Sequence, residues 1–339
     1  MKVPLLQFTD KGIYCQRAEI YIDPWKPVEY ALITHGHADH ARWGSRKYLC
    51  HTLTKRIIEF RLGKINCQTV NYNETIIING VKFSFHPAGH VIGSAQIRVE
   101  YKGEVWVASG DYKVEFDGIS QAFEPVKCHT FITECTFGLP IFQWKPQQDV
   151  FDQINAWWKK NREEEKSSLL FGYSLGKAQR LLQNIDTTIG SVYTHAAVEN
   201  INELFREEGV KLPATNRITK ETTKDKFKGN LIIAPPGAMG SSWTKKMQPF
   251  STGVTSGWMN LRGARRRRGA DRGFVLSDHA DWSGLLMAIK ETGAENIITT
   301  HGYTSVFSTY LNSIGYNATV ESTEFEGESL DEKEKEETE

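Results

Sequence analysis

The chain has 339 residues, of which 40% are hydrophobic and 24% are charged, an ordinary composition for a soluble globular protein. Basic and acidic residues balance at 41 each, but ten acidic and two basic residues fall in 321–339, leaving a body of 39 basic and 31 acidic residues that suits a polyanionic partner. Because no apolar run approaches bilayer length and the start carries no secretory signal, a membrane protein is excluded and a cytoplasmic location is expected.

The five cysteines are odd in number, are scattered along the chain and form no Cys-x-x-Cys pair: Cys15, Cys50, Cys67, Cys128 and Cys135. This pattern argues against a disulfide framework and against a zinc site built from cysteines. We therefore predict isolated buried thiols.

Short strands joined by turns are predicted for the first third of the chain. An apolar strand at Tyr30–Thr34 runs directly into a cluster of histidines. Two hairpins are expected, one turning at Asn79-Gly80 and the other at Lys102-Gly103, because such residues favour tight turns with positive φ.

The middle of the chain alternates helical and strand-like segments. Helices are predicted at about 148–165 and 177–185, with apolar strands at 169–171, 191–193 and 231–234. This alternation predicts a small α/β unit with a parallel sheet, closed by the basic stretch Arg262–Gly269.

The histidine cluster holds four candidate metal ligands in six residues: His35, His37, Asp39 and His40. In an extended segment alternate side chains share a face, so His35 and His37 could hold one ion. If the chain then turns into a helix, Asp39 and His40 would point to a second position. Imidazole and carboxylate ligands suit zinc, and also manganese or iron.

Three later residues follow predicted strands in the same way: His90, Asp111 and His301. Seven ligands are enough for two divalent ions about 3.5–4 Å apart. The alternative is that these histidines cap strands or satisfy core hydrogen bonds, but so dense a pattern favours metal.

The motif His35-Gly36-His37-Ala38-Asp39-His40 resembles the signature of the metallo-β-lactamase superfamily. The resemblance extends from Asp23, similar to the family's early aspartate that supports the histidine loop, to His301. It implies an α/β fold of four αββα layers. Later motifs, Thr133–Gly138 with Glu134 and Ser277–Asp281 with His279, resemble those of the β-CASP nucleases.

That resemblance implies a domain organisation. We expect the first part of the metallo-β-lactamase domain at 1–148, a shortened β-CASP-like α/β insertion at 149–262, and the return segment at 263–320. Residues 321–339 are expected to form an acidic flexible tail.

Within the β-CASP group the chain is most similar to the bacterial ligase-associated DNA exonucleases. The similar stretches are Tyr21–Trp25, Gly172–Arg180, Pro235–Ala238 and Thr300–Tyr303. The resemblance implies DNA as partner, in repair, with an ATP-dependent DNA ligase and a helicase as associates. A histidine in the last motif, as at His301, is typical of RNA-cleaving members, so an RNA-processing nuclease is the alternative.

The resemblance also implies site roles. His35, His37 and His90 would hold one ion, Asp39, His40 and His301 the other, and Asp111 would bridge. Asp39 also counts among the catalytic residues with Glu134 and His279. A water activated by the two metals, zinc with manganese as alternative, would attack phosphorus, and His279, poised by Glu134, would protonate the leaving oxygen. Taken alone, His279 could be an ordinary strand-end histidine.

Phosphate contacts are predicted from residues that begin a helix after a glycine: Lys177, Gln179 and Arg180. Ser241 is a further candidate. The Arg265–Arg268 run could follow a nucleic-acid backbone or be a solvated loop, and Trp243 and Trp258 could stack on bases or pack in a core. A thioesterase-like hydrolase has no need of Glu134 and His279, and a non-catalytic subunit would not keep all seven ligands.

Overall fold

A computed structural model of the protein describes residues 3–263, 266 and 269–325. Most of the Arg265–Arg268 run and the predicted tail beyond Phe325 lie outside the described residues. The described chain divides into two compact units, the first formed by 3–143 and 279–325 and the second by 144–278.

The first unit begins with short strands and one helix. In chain order these are β1 (Gln7–Phe8), β2 (Ile13–Cys15), β3 (Ile20–Ile22), β4 (Tyr30–Ile33), β5 (Lys47–His51), α1 (Thr52–Leu62), β6 (Cys67–Val70), β7 (Thr75–Ile78), β8 (Val81–Pro87), β9 (Ala95–Tyr101), β10 (Glu104–Ala108) and β11 (Thr130–Cys135).

The second unit alternates strands and helices. Its elements are α2 (Gln147–Glu163), β12 (Ser167–Phe171), α3 (Lys177–Asn184), β13 (Val192–Thr194), α4 (Ala196–Glu207), β14 (Asn216–Arg217), β15 (Leu231–Ala234), β16 (Phe250–Thr255) and β17 (Arg272–Phe274).

The chain then completes the first unit. Its last elements are α5 (Trp282–Thr292), β18 (Asn296–Gly302), α6 (Thr304–Ser313) and β19 (Asn317–Val320). No helix in the described part of the chain combines the length and the apolar character needed to cross a membrane.

Two sheets form the first unit, one ordered β1 to β6 and the other ordered β19-β18-β11-β10-β9-β8-β7. One core cluster joins Leu32 and Leu49 of the first sheet to Phe83 and Ile97 of the second. Alternate residues of a strand face opposite ways, so Ile33 packs in another cluster. Residues on both faces of β4 are thus buried, which explains its continuous apolar sequence. The mixed α/β class is confirmed, and the four-layer arrangement stays a prediction.

Both predicted hairpins are present. Strands β7 and β8 pair antiparallel across Asn79 (φ 49°) and Gly80 (φ 79°), and β9 and β10 pair antiparallel across Lys102 (φ 50°) and Gly103 (φ 84°). Two consecutive residues with positive φ form the turn whose twist matches that of the paired strands.

The second unit is built on a parallel sheet ordered β14-β13-β15-β12-β16-β17. Every pair of neighbours in it is parallel, which confirms the α/β unit predicted from the alternation of segments. The apolar strands pack against α2 and α3 in one core that includes Trp158, Leu170, Leu181 and Ile233.

The prediction of isolated thiols is wrong for one pair. Cys50 on β5 and Cys67 on the adjacent β6 place their Sγ atoms 3.6 Å apart. The Cys50 thiol can donate to the Cys67 sulfur, and this lowers the pKa of Cys67. Sequence spacing could not show this because the two residues meet only through strand pairing.

Candidate metal centre

The histidine loop begins where β4 ends. After Ile33 the chain makes a turn in which the backbone N–H of Ala41 donates to the carbonyl of His37 at 2.9 Å. No helix follows, since the next described helix starts at Thr52. The single turn is nevertheless enough to aim His40 differently from His35 and His37.

Four side chains converge as a first group: His35, His37, His90 and Asp111. The Nδ1 atom of His37 lies 3.1 Å from Nε2 of His35 and 3.1 Å from Nε2 of His90. Oδ2 of Asp111 lies 3.6 Å from Nε2 of His35 and 3.8 Å from Nε2 of His90. Three imidazoles and a carboxylate meeting at one point are a donor set that suits a divalent transition metal.

Asp111 reaches this point because the backbone of Gly110 passes close to the histidine loop. Gly110 has φ +57°, and a Cβ there would lie 2.7 Å from the side chain of Thr34. Only glycine fits such an approach without displacing Thr34. The close packing fixes the end of β10 against the start of the loop.

A second group consists of His40, Asp111 and His301. Among the described residues, buried side-chain atoms without a hydrogen-bond partner include Nε2 of His40, Oδ1 of Asp111 and both ring nitrogens of His301. Buried polar atoms are normally satisfied, so ring nitrogens and a carboxylate oxygen that gather without hydrogen-bond partners form a set that a divalent cation would satisfy. The residues present therefore fit a metal ion here as well.

A bulge brings His301 to this position. The register between β11 and β18 shifts at Glu134/Cys135, and His301 has φ +53°. A positive φ is uncommon for a residue other than glycine, and here it accompanies the register shift that places His301 in the second group. Gly302 follows at φ +94°, where a Cβ would clash with the carbonyl oxygen of Cys135.

Burial and mutual charge set the ionisation of His35, His40 and Asp111. Burial and the neighbouring His40 lower the pKa of His35 well below its usual value. Burial also disfavours the charged form of His40, but Asp111 and Asp39 outweigh it and raise the pKa of His40. The Asp111 carboxyl is buried too, yet His40 and His279 hold its pKa well below the ordinary range. Asp111 is thus ionised and ready to face cations.

Asp23 stabilises the histidine loop through hydrogen bonds with Thr34 and His40. Its carboxylate accepts from the backbone N–H of Thr34 at 2.8 Å, from the Thr34 hydroxyl at 2.5 Å and from Nδ1 of His40 at 2.7 Å. The third contact leaves Nε2 of His40 as the atom available to a metal. Thr34, which also lies 3.0 Å from Nδ1 of His35, was not assigned a role from sequence although it directly precedes the motif.

Replacing Asp23 by asparagine should weaken zinc affinity by about 10- to 100-fold, the usual cost of losing a partner that orients a ligand. Asparagine tolerates the φ of +42° at this position, so the change tests the charge rather than the backbone. The dissociation constant for Zn²⁺, measured by chelator competition, checks this. Asp10→Asn, with an exposed side chain, is the control; equal affinities in both variants would contradict the assignment.

His279 and Glu134 form a third group with Asp111. Nδ1 of His279 lies 2.9 Å from both carboxylate oxygens of Glu134. Glu134 also accepts from the Tyr112 backbone N–H at 2.8 Å and from the Thr136 hydroxyl at 2.5 Å. Its lone pairs are occupied by structural donors, so it serves to fix the ring of His279, which packs 4.7 Å from the ring of His90.

Asp39 is half-buried, with Oδ2 3.7 Å from Nε2 of His40. It lies beside the second group, but it is not a member of any of the three groups found among the described residues. Its place among the ligands remains a prediction from the motif.

The residues predicted to contact phosphate are engaged within the second unit. Buried Lys177 and Arg180 pair with opposite oxygens of Asp278 at 3.3 and 3.2 Å. Gln179 caps its own helix by accepting from the Gly176 backbone N–H at 2.7 Å. All three side chains therefore have partners inside the second unit, which the sequence could not distinguish from a displayed helix start.

The other candidates of the second unit are placed as follows. The Ser241 hydroxyl donates to the carbonyl of Ala238 at 2.8 Å. Trp258 is buried, as core packing requires, whereas Trp243 is half-buried and meets the ring of His195 edge-on at 4.8 Å. Of the Arg265–Arg268 run only Arg266 is described, and it is exposed.

Comparison with known proteins gives similarity at low identity. A probable DNA ligase of Opitutus terrae is 27% identical over 311 residues, covering 91% of this chain and 30% of that protein. The endoribonuclease YSH1 of Saccharomyces cerevisiae is 30% identical over 215 residues, covering 53% of this chain and 27% of that protein. Cleavage and polyadenylation specificity factor 73 of Drosophila melanogaster is 30% identical over 135 residues, covering 39% and 19%.

The chain thus spans less than a third of the length of these curated relatives. No protein-family model matches it. A crystal structure of a protein of unknown function from Enterococcus faecalis V583 superposes with a TM-score of 0.59 at 11% identity, covering 88% of this chain and 80% of that one, and shows a shared fold alone. The curated relatives are named as a probable DNA ligase, an endoribonuclease and a cleavage and polyadenylation specificity factor.

Proposed function

We propose that this protein is a metal-dependent DNA nuclease, an exonuclease acting in repair, that hydrolyses phosphodiester bonds. The observation that carries the proposal is that three groups of side chains share Asp111. The first contains three clustered imidazoles, the second contains imidazole nitrogens without hydrogen-bond partners, and the third contains the His279–Glu134 pair. Two divalent cations held there would supply a water-derived nucleophile and stabilise negative charge on the phosphate. Zinc suits the histidines best, with manganese as the second choice.

The protein's own residues have separate tasks in this proposal. His35, His37 and His90 would hold one cation and His40, Asp39 and His301 the other, and Asp111 belongs to both groups of side chains. Asp23 orients His40, while Glu134 orients His279 so that it can deliver a proton to the departing oxygen.

DNA is proposed as substrate because the similarity that covers 91% of this chain is to a protein named a probable DNA ligase. A functional association with a ligase, and with a helicase, belongs to the same proposal. An RNA-processing nuclease is the second candidate, favoured by His301 and by relatives that are named endoribonucleases.

Matched DNA and RNA strands of one sequence, labelled at either end, test the two candidates with zinc or manganese present. We expect DNA to be shortened from one end in single-nucleotide steps. Cleavage of RNA alone would overturn the DNA assignment, and internal cuts would overturn the exonuclease assignment. Protein carrying Asp111→Asn, prepared identically, controls for contaminating nucleases.

A further inference from the structure

The five residues that follow β19 make contacts with the first unit, although the sequence predicts that a solvated tail begins here. We call residues 321–325 the C-terminal strap. The backbone N–H of Glu321 donates to the carbonyl of Thr299 at 3.1 Å, which prolongs the edge between β19 and β18. The strap is therefore part of the first unit, although its sequence is continuous with the acidic residues beyond it.

One arginine ties the strap to the histidine loop. Arg42 donates through Nη2 to the carbonyl of Glu324 at 2.6 Å and through Nε to the carbonyl of Asp39 at 3.2 Å. Its Nη1 atom contacts the Trp25 carbonyl at 3.4 Å and lies 3.8 Å from the Glu324 carboxylate. The planar guanidinium thus spans three backbone segments with fixed geometry.

The ring of Phe325 lies against His40, a member of the second group of metal-ligand candidates. It stacks on His40 with centroids 4.3 Å apart and planes 12° apart, and it meets Trp25 edge-on at 5.7 Å. The ring of His301 lies 6.2 Å away. Phe325 lines the same cavity as His40, Asp111 and His301.

We propose that the C-terminal strap clamps His40 and slows the release of the cation assigned to His40, Asp111 and His301. Asp23 holds the edge of the His40 ring, and Phe325 holds its face. A ligand that cannot rotate away rebinds its metal before the metal escapes, and the ring of Phe325 lines the cavity that also contains His40, Asp111 and His301. The inference rests on the proposed metal centre but not on the identity of the substrate.

Zinc release from the full-length protein tests the strap. Protein loaded with two equivalents of Zn²⁺ is mixed with excess chromophoric chelator, and release is followed in time. In Phe325→Ala we expect one of two phases to accelerate about three- to tenfold, as expected for the loss of one aromatic contact, with the other phase unchanged. Phe325→Trp should restore the slow phase, because a larger ring can stack on His40.

Phe60→Ala is the matched control, since Phe60 is an exposed phenylalanine on α1 in the same unit. Its release phases should equal those of the unchanged protein. Arg42→Lys provides a second variant should Phe325→Ala fail to fold: lysine keeps the charge but cannot bridge Asp39, Trp25 and Glu324, so the same phase should accelerate.

Unchanged release in both Phe325→Ala and Arg42→Lys would overturn the strap while leaving the metal centre intact. Failure of the unchanged protein to bind zinc at all would overturn the metal centre and the strap together. Accelerated release from a protein that cleaves neither DNA nor RNA would support the strap and reject the nuclease assignment.

Discussion

Replacing Asp111 by asparagine is expected to abolish cleavage and to lower the amount of bound metal. Asp111 belongs to all three groups, and its Oδ2 lies 3.6, 3.5 and 3.8 Å from nitrogens of His35, His40 and His90. Asparagine keeps the shape of the side chain but removes the negative charge that the two cations would share. The rate should fall at least about a thousandfold, because metal ions contribute several kcal/mol to such reactions.

Metal content by elemental analysis and single-turnover cleavage of a labelled strand check this expectation in the same preparation. Asp225→Asn, an exposed carboxylate of the second unit, serves as the control and should behave like the unchanged protein. A folded Asp111→Asn protein with full metal content and full rate would remove the central residue of the proposed site.

Replacing His279 by alanine should slow cleavage by about 10²- to 10⁴-fold, the usual contribution of a general acid. Bound metal should stay at its normal level, because His279 is assigned to the leaving oxygen and its Nδ1 is held by Glu134. The expected signature is a loss of rate without a loss of metal.

The choice of leaving group sharpens this test. A nucleotide p-nitrophenyl ester releases a weakly basic oxygen that needs little protonation, so His279→Ala should cleave it at nearly the normal rate. The opposite assignment, in which His279 joins Asp111 and Glu134 as a ligand, predicts that metal is lost and that both substrates are cleaved slowly.

Local features of the fold could be predicted from sequence because they depend on neighbouring residues. The Asn79-Gly80 turn needs two consecutive residues that accept positive φ, and the alternation of apolar strands with helices is enough to indicate the parallel sheet of the second unit. The motif from His35 to His40 likewise names its own ligand candidates, because their spacing is set by a few bonds.

Contacts between distant segments could not be predicted in this way. Lys177 and Arg180 begin a helix after a glycine, which is typical of a phosphate site, but only folding brings Asp278 between them. Cys50 and Cys67 look unrelated until two strands pair. Phe325 lies in an acidic segment, and no neighbouring residue in the sequence predicts that its ring stacks on His40.

The sequence by itself therefore determined which side chains could bind metal, since ligand chemistry resides in residue types and short spacings. The sequence named His90, Asp111 and His301 as further candidates, and the tertiary structure brings them to the loop of His35–His40. It also decided that His40 is held between Asp23 and Phe325. Burial and strand register produce these meetings, and both arise from long-range packing that no local pattern encodes.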